Sequence, residues 1–154
     1  LEYPDFTLIN FYIPHGGRFK ENMAYKLDAY KRIFKYIWQL KSKNLILAGD
    51  FNIAREEIDL ARPKDNQNNT MFTKEERETL GNIIGLGFAD SFRRFVADGG
   101  HYTWWPYAVE ARQRNLGWRI DYIFVSEALA PKLKSASILR DTPGSDHCPI
   151  EIEF

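Results

Sequence analysis

An α/β fold is the class this sequence predicts, and three observations predict it. Short apolar runs of strand length recur along the chain, a long segment between the first two carries helical rather than alternating spacing, and a capping signature opens a second helix further on. No internal repeat, linker or low-complexity tract divides the 154 residues, of which 44% are hydrophobic and 15% aromatic. A chain of this size and composition forms one domain burying roughly two-thirds or more of its unfolded surface.

Residues 6–12 (Phe6-Thr7-Leu8-Ile9-Asn10-Phe11-Tyr12) read as a strand from the middle of a buried sheet, with almost no lead-in before it. Residues 21–41 follow as an amphipathic helix, because Leu27, Tyr30, Ile33, Phe34, Ile37 and Trp38 recur at three-and-four spacing with Lys and Asp between them. A second apolar run, 44–48, stops at Gly49, so Asp50 and Asn52 fall at a strand's carboxyl end. The polar stretch 54–70, holding Asp59, Arg62, Lys64, Asn66, Asn68 and Asn69, is long for a connection, and long loops in compact domains usually serve function or are disordered. Thr73-Lys74-Glu75-Glu76 has the capping-box spacing and starts a helix that runs to Gly85 and Gly87. Beyond Asp90-Ser91-Phe92-Arg93-Arg94 come an aromatic segment, Tyr102-Thr103-Trp104-Trp105-Pro106-Tyr107, and a basic connection through Arg112 and Arg114. Strands are expected over 118–125, 134–139 and 148–154.

Composition excludes several functional classes. Twenty-one basic and twenty-one acidic residues cancel, so any anionic partner must be met by a local patch rather than a global field. The single cysteine, Cys148, rules out a disulfide framework and multi-cysteine metal sites, and it fits a reducing intracellular compartment, cytoplasmic or, in a eukaryote, nuclear. No apolar run approaches the ~18 residues of a membrane span, so no membrane role is expected.

Chemistry is expected where polar groups interrupt apolar strands. Asp50 and Asn52 have a plain alternative, since Gly-Asp-x-Asn is good turn chemistry. Asp121 lies inside Ile120-Asp121-Tyr122-Ile123-Phe124-Val125, where a buried carboxylate needs a partner; an ion pair with the neighbouring Arg119 is the structural alternative. Asp146-His147 can be a cap, yet His carries a proton near neutral pH and Asp binds cations. Three Asp, one Asn and one His flanking apolar strands favour a hydrolytic site over five independent caps. Oxygen ligands without a Cys or His cluster suit Mg²⁺ or Mn²⁺ rather than Zn²⁺, which directs the reading to phosphomonoester or phosphodiester cleavage.

Seven blocks, in order, then carry a resemblance: Asn10-Phe11-Tyr12-Ile13-Pro14, Gly49-Asp50-Phe51-Asn52, Phe72-Thr73-x-x-Glu76-Arg77, Asp90-Ser91-Phe92-Arg93, Tyr102-Thr103-Trp104-Trp105, Gly117-Trp118-Arg119-Ile120-Asp121-Tyr122 and Gly144-Ser145-Asp146-His147-Cys148-Pro149. Together they resemble the exodeoxyribonuclease III class of abasic-site endonucleases, within the endonuclease/exonuclease/phosphatase superfamily. The resemblance implies a DNase I-like four-layer αββα sandwich present in part, with residues 1–154 as its C-terminal portion and an N-terminal half, carrying an early Asn and a metal-binding Glu, outside this sequence. It implies Mg²⁺ or Mn²⁺ as cofactor and double-stranded DNA with abasic sites as partner, in base excision repair, with 3′-5′ exonuclease and 3′-phosphatase activity as further possibilities; the fragment alone is expected to be inactive. By position the resemblance implies that Tyr12 contacts the scissile phosphate, Asp50 activates the attacking water or stabilises the leaving group, Asn52 is its orienting partner, His147 contacts the phosphate and is held by Asp121, and Asp146 is a metal ligand. Trp104, Trp118 and Ile120 match a pocket for a flipped-out baseless sugar, and Arg18, Asn66 and Asn69 fall where the family touches DNA. Plain core packing is the alternative for the two tryptophans. Two other functions stay open: a phosphatase or RNA nuclease of the same superfamily, which keeps the polar groups without the pocket, and a non-catalytic module reading DNA backbone through Arg18, Arg62, Lys64, Arg112 and Arg114. The five polar groups are expected to converge on one cleft, and the sheet face that the N-terminal half covers is expected to carry an apolar patch.

Overall fold

The computed structural model describes residues 1–40, 44–108 and 110–154. Its principal elements are β1 (Thr7–Tyr12), α1 (Met23–Gln39), β2 (Leu45–Asp50), α2 (Lys74–Gly85), β3 (Phe88–Asp90), β4 (Asp121–Ser126), β5 (Ser135–Ile138) and β6 (Ile150–Glu153), with short 3-10 turns between several of them. Four strands form one mixed sheet in the order β1-β2-β4-β3; β1 and β2 run parallel and the remaining pairs antiparallel. The parallel pair is joined across α1, the crossover that parallel strands require. β5 and β6 form a separate antiparallel pair.

Alternation along the strands divides their side chains between two layers. On one face Ile9, Phe11, Leu45, Leu47, Phe88, Tyr122 and Phe124 pack against Tyr30, Ile33 and Ile37 of α1 and Leu80 and Ile83 of α2, which forms the main core. Phe51, wholly buried, holds that core at the sheet's end through edge contacts with Phe11, Tyr122 and Phe124. On the other face Ile46 and Val125 pack under Leu129, Leu133 and the β5–β6 pair, and Phe6 stacks on Phe154. Helices, four-stranded sheet and strand pair thus make three successive layers of mixed α/β architecture. The second face is covered only in part: Leu8, Ala48 and Ile123 are half-buried while Asn10 and Tyr12 are exposed.

Gly49 shapes the site end of β2. Its φ of +140° is disfavoured for L side chains, and a Cβ there would lie 1.9 Å from the Phe11 carbonyl oxygen. Only glycine lets β1 approach β2 at this point, one residue before Asp50. The expected α2 is present with its capping box, Thr73 Oγ1 accepting from the Glu76 amide and the Glu76 carboxylate accepting from Thr73. α1 is shorter than the expected 21–41: it ends at Gln39, and the expected Lys41 end lies outside the described residues. The strand expected from Trp118 begins at Asp121, because Trp118 bridges to Leu60 and Trp104 instead of joining the sheet ladder. β5 and β6 are likewise shorter than 134–139 and 148–154. β3, with only three residues, was not anticipated.

Candidate active site

Strand register assembles the site. Tyr12, Asp50 and Asp121 occupy one cross-strand row at the ends of β1 and β2 and the start of β4, so all three side chains leave the same face. Asp50 opposite Asp121 sets two carboxylates side by side, an arrangement that is destabilising unless something offsets the charge. His147 offsets it: its Nδ1 lies 2.9 Å from Asp121 Oδ2. One ligand atom from each of Asp50, Asp121 and His147 falls within 4.8 Å of the others.

Asp50 is gripped at both oxygens. The Asn52 backbone N–H donates to Oδ1 at 2.8 Å and the Asn52 Nδ2 to Oδ2 at 2.8 Å, while Nδ2 also donates to the Ile13 carbonyl at 2.9 Å. Asn52 adopts a left-handed backbone, φ +50°, which asparagine tolerates better than most residues. Burial and the Asp121 charge push the Asp50 carboxyl up to about 6, against the Asn52 hydrogen bond and the His147 charge. The carboxylate form therefore predominates at neutral pH with substantial basicity. The hydrogen bond to Asp121, outweighing desolvation, raises the His147 imidazole above its ordinary value. The ion pair expected as an alternative for Asp121 does not form: Arg119 turns away to Asp59 and Asp90, and Asp121 takes His147 instead.

Asp146 stands beside this group rather than within it. Its Oδ2 accepts from Trp104 Nε1 at 2.9 Å. Trp104 links the site to the neighbouring apolar cluster, its backbone bridging both Trp118 and His147. Trp118 and Ile120 are buried there with Leu60, Met71 and Phe72, and Trp104 packs against them half-buried. Tyr12 is 65% exposed at the head of the carboxylate row. The expected DNA-facing residues divide. Arg18 is exposed next to Phe19, whereas Asn66 and Asn69 brace their own loop, Asn66 Nδ2 donating to Ala61 and Arg62 carbonyls and Asn69 Nδ2 to Asn66 Oδ1. Arg112 is committed elsewhere as well, donating to the carbonyls of Ser145, Arg140 and Thr142 over the Trp105 ring.

Several supporting residues escaped the sequence reading. Thr103, wholly buried, accepts from the backbone N–H of Ile120 and Asp121 with its Oγ1, both at 3.1 Å, and so fixes where β4 begins. No local signal marks it. Lys26 is wholly buried on α1, in register with Tyr30, Ile33 and Ile37; a lysine on the apolar stripe was the available signal. Asp59, Asp90, Arg93 and Arg119 form a buried ionic network that ties the 54–70 loop to the approach of β4. Cys148 is buried, and burial pushes its thiol up to about 11, leaving it inert at neutral pH.

A carboxylate pair, an asparagine clamp and an Asp-held imidazole thus meet at one sheet end, a set of groups that can bind a hard cation and move a proton. The sequence model of the endonuclease/exonuclease/phosphatase family matches residues 7–147, and the chain belongs to that family. Among its relatives, an exodeoxyribonuclease of Bacillus subtilis is 44% identical over 99% of this chain, and the DNA repair nuclease APEX1 of Danio rerio is 42% identical over 98%. The chain spans 61% and 49% of their respective lengths. Solved structures agree: a 3′ phosphatase from Neisseria bound to product DNA hairpin superposes with a TM-score of 0.93 at 31% identity, over 98% of this chain and 62% of that one. An AP endonuclease from Archaeoglobus fulgidus gives 0.88 at 29% identity, over 96% and 60%. The expected DNase I-like α/β class is thereby established. No helix among the described residues is long and apolar enough to cross a membrane.

Proposed function

We propose that residues 1–154 are the C-terminal portion of a DNA-repair phosphodiesterase that cleaves double-stranded DNA on the 5′ side of abasic sites. The observation that carries this reading is the junction of the Asp50–Asn52–Asp121–His147 group with the Trp104–Trp118–Ile120 cluster. The relatives named as exodeoxyribonuclease and DNA repair nuclease support it.

In this reading Tyr12 and His147 contact the scissile phosphate. Asp50, ionised at neutral pH, takes a proton from water oriented by Asn52. The water oxygen bonds to phosphorus, the P–O3′ bond breaks, and the leaving oxygen acquires a proton to give a 3′-hydroxyl and a 5′-phosphate on the baseless sugar. Asp121 keeps the His147 imidazole oriented toward the phosphoryl oxygens and favours its protonated form. A hard cation fits the donor set: the carboxylates of Asp50 and Asp121 would hold Mg²⁺ or Mn²⁺, with Asp146, which stands outside that group, as the ligand the family resemblance implies, and the cation would supply positive charge at the phosphate. Beside the phosphate, Trp104, Trp118 and Ile120 receive the extruded sugar, which loses no base stacking when it leaves the duplex. Arg18, Asn66 and Asn69 border the DNA path. The same hydrolysis applied at 3′ ends gives exonuclease and 3′-phosphatase activity, a second reading favoured by the Neisseria structures described as a 3′ phosphatase and a 3′-5′ exonuclease.

The test is nicking of an abasic duplex with Mg²⁺ by the full-length protein. Cleavage on the 5′ side is expected, with Asp50→Asn and His147→Ala each lowering turnover at least about a hundredfold. Replacing Trp104 and Trp118 together by alanine should erase the preference for abasic over intact duplex while salt-dependent binding persists. Hydrolysis of a soluble phosphomonoester without abasic cleavage would transfer the reading to the phosphatase branch. DNA binding that never leads to metal-dependent cleavage would make the protein a binding module.

A further inference from the structure

A buried ammonium group lies directly behind the asparagine that clamps Asp50. Lys26 is wholly buried in α1, and its Nζ donates to Asn52 O at 2.6 Å, His15 O at 3.0 Å and Glu76 Oε1 at 2.5 Å. An ammonium has three donors, and all three are used. Glu76 is saturated in turn: Oε1 also accepts from the Met71 amide, and Oε2 from the Thr73 amide and hydroxyl. The pair therefore sits in a fully satisfied network spanning α1, the start of α2 and the loop after β2. A charged pair with no solvent contact is a costly way to gain stability, since apolar residues of similar volume often serve as well. Its geometry has a more specific consequence. The Asn52 carbonyl accepts from Lys26 while the same residue's N–H and Nδ2 face Asp50, so the left-handed turn is held from behind and aimed from the front.

We propose that Lys26 is a positioning residue for the hydrolytic centre, holding Asn52 in its left-handed turn so that both its N–H groups meet the Asp50 carboxylate. Glu76, capping α2, keeps the ammonium in place. The inference rests on the reading of Asp50 and Asn52 as the groups that activate and orient water.

Three measurements test it. Lys26→Met strands the Glu76 charge, so the charge-balanced Lys26→Met/Glu76→Gln variant is prepared alongside it. In whichever variant of the full-length protein keeps the native circular dichroism, kcat on an abasic duplex should fall roughly ten- to a hundredfold with KM little changed, the scale of a misplaced catalytic group. Introduced into an Asn52→Ala background, the same substitution should cost clearly less than it does in the wild type, because the side-chain part of its effect is already lost while the backbone N–H remains. An unchanged kcat, or a loss that simply multiplies that of Asn52→Ala, overturns the proposal. The second measurement needs no activity: the Asn52 side-chain amide signals should shift and lose exchange protection in the variant, and unchanged signals refute the proposal. The third uses the unmodified protein, where a trans-hydrogen-bond coupling between Lys26 Nζ and the Asn52 carbonyl carbon is expected, and its absence refutes the contact. A wild-type protein inactive on abasic DNA would remove the functional reading, while the two spectroscopic results would still decide the role of Lys26.

Discussion

Replacing Arg119 by methionine removes the cation around which the buried Asp59–Asp90–Arg93 network is built. Its Nε donates to Asp59 Oδ1 at 2.8 Å and its two terminal nitrogens to the Asp90 oxygens at 3.2 and 2.7 Å, with the three side chains between 0 and 5% exposed. Asp59 keeps a second partner in Arg93, but Asp90 is left with a backbone amide from Arg93 at 3.3 Å. Methionine replaces part of the volume that the guanidinium fills against Tyr122, so the cost falls mainly on the stranded Asp90 charge. Removing one partner from a buried pair costs about 3–5 kcal/mol. Total stabilities are about 5–15 kcal/mol, so this is a large share of the whole. Urea unfolding should show the midpoint falling with little change in slope, and Tm should drop by roughly 6–20 °C at about 2–4 °C per kcal/mol. Adding Asp90→Asn should restore part of the loss. Burial pushes the Asp59 carboxyl up, but Arg119 and Arg93 pull it down further, below the ordinary carboxylate range. A depressed folded value means that the stabilisation is present above the unfolded value of about 3.9 and is lost as pH falls through the folded one. The gap between wild type and variant should therefore be steady near neutrality and narrow below about pH 4. A loss under about 1 kcal/mol at neutral pH, or a gap that widens in acid, would refute the reasoning.

Two further outcomes follow from the site. The His147 value is raised, so its share of stability is present below the unfolded value of about 6.5 and is lost as pH rises through the folded one. An NMR titration of the ring should show its midpoint above that value in the wild type and lower in Asp121→Asn; identical midpoints would mean that the hydrogen bond does not set the charge. Gly49→Ala places a methyl 1.9 Å from the Phe11 carbonyl and should destabilise by at least about 2 kcal/mol, read by denaturant unfolding. A neutral effect would show that β1 and β2 can separate there at no cost.

The start of α2 and the side-chain alternation of the strands were legible because their determinants are local, whereas strand ends were not: β2 runs through Gly49 to Asp50. Thr73 and Glu76 satisfy each other three residues apart, and the alternation that sends Asp50 and Asp121 to one face is a property of each strand by itself. Order along the chain also brought Tyr12, Asp50, Asn52, Asp121, Asp146 and His147 into one family pattern. Partner choice was not local. Arg119 adjoins Ile120-Asp121 in sequence, yet its carboxylates come from sixty and twenty-nine residues away, because the backbone at the start of β4 turns its side chain into the core while Asp121 faces His147. Lys26 lies on the apolar stripe of its helix, and what makes its burial possible is a glutamate fifty residues on, which no local pattern shows. A single sequence thus determined which groups reach the sheet's end, since periodicity and turn chemistry act over a few residues. Which charges neutralise one another was decided only by the tertiary structure, because burial makes that depend on distances of a few ångströms between segments far apart in the chain.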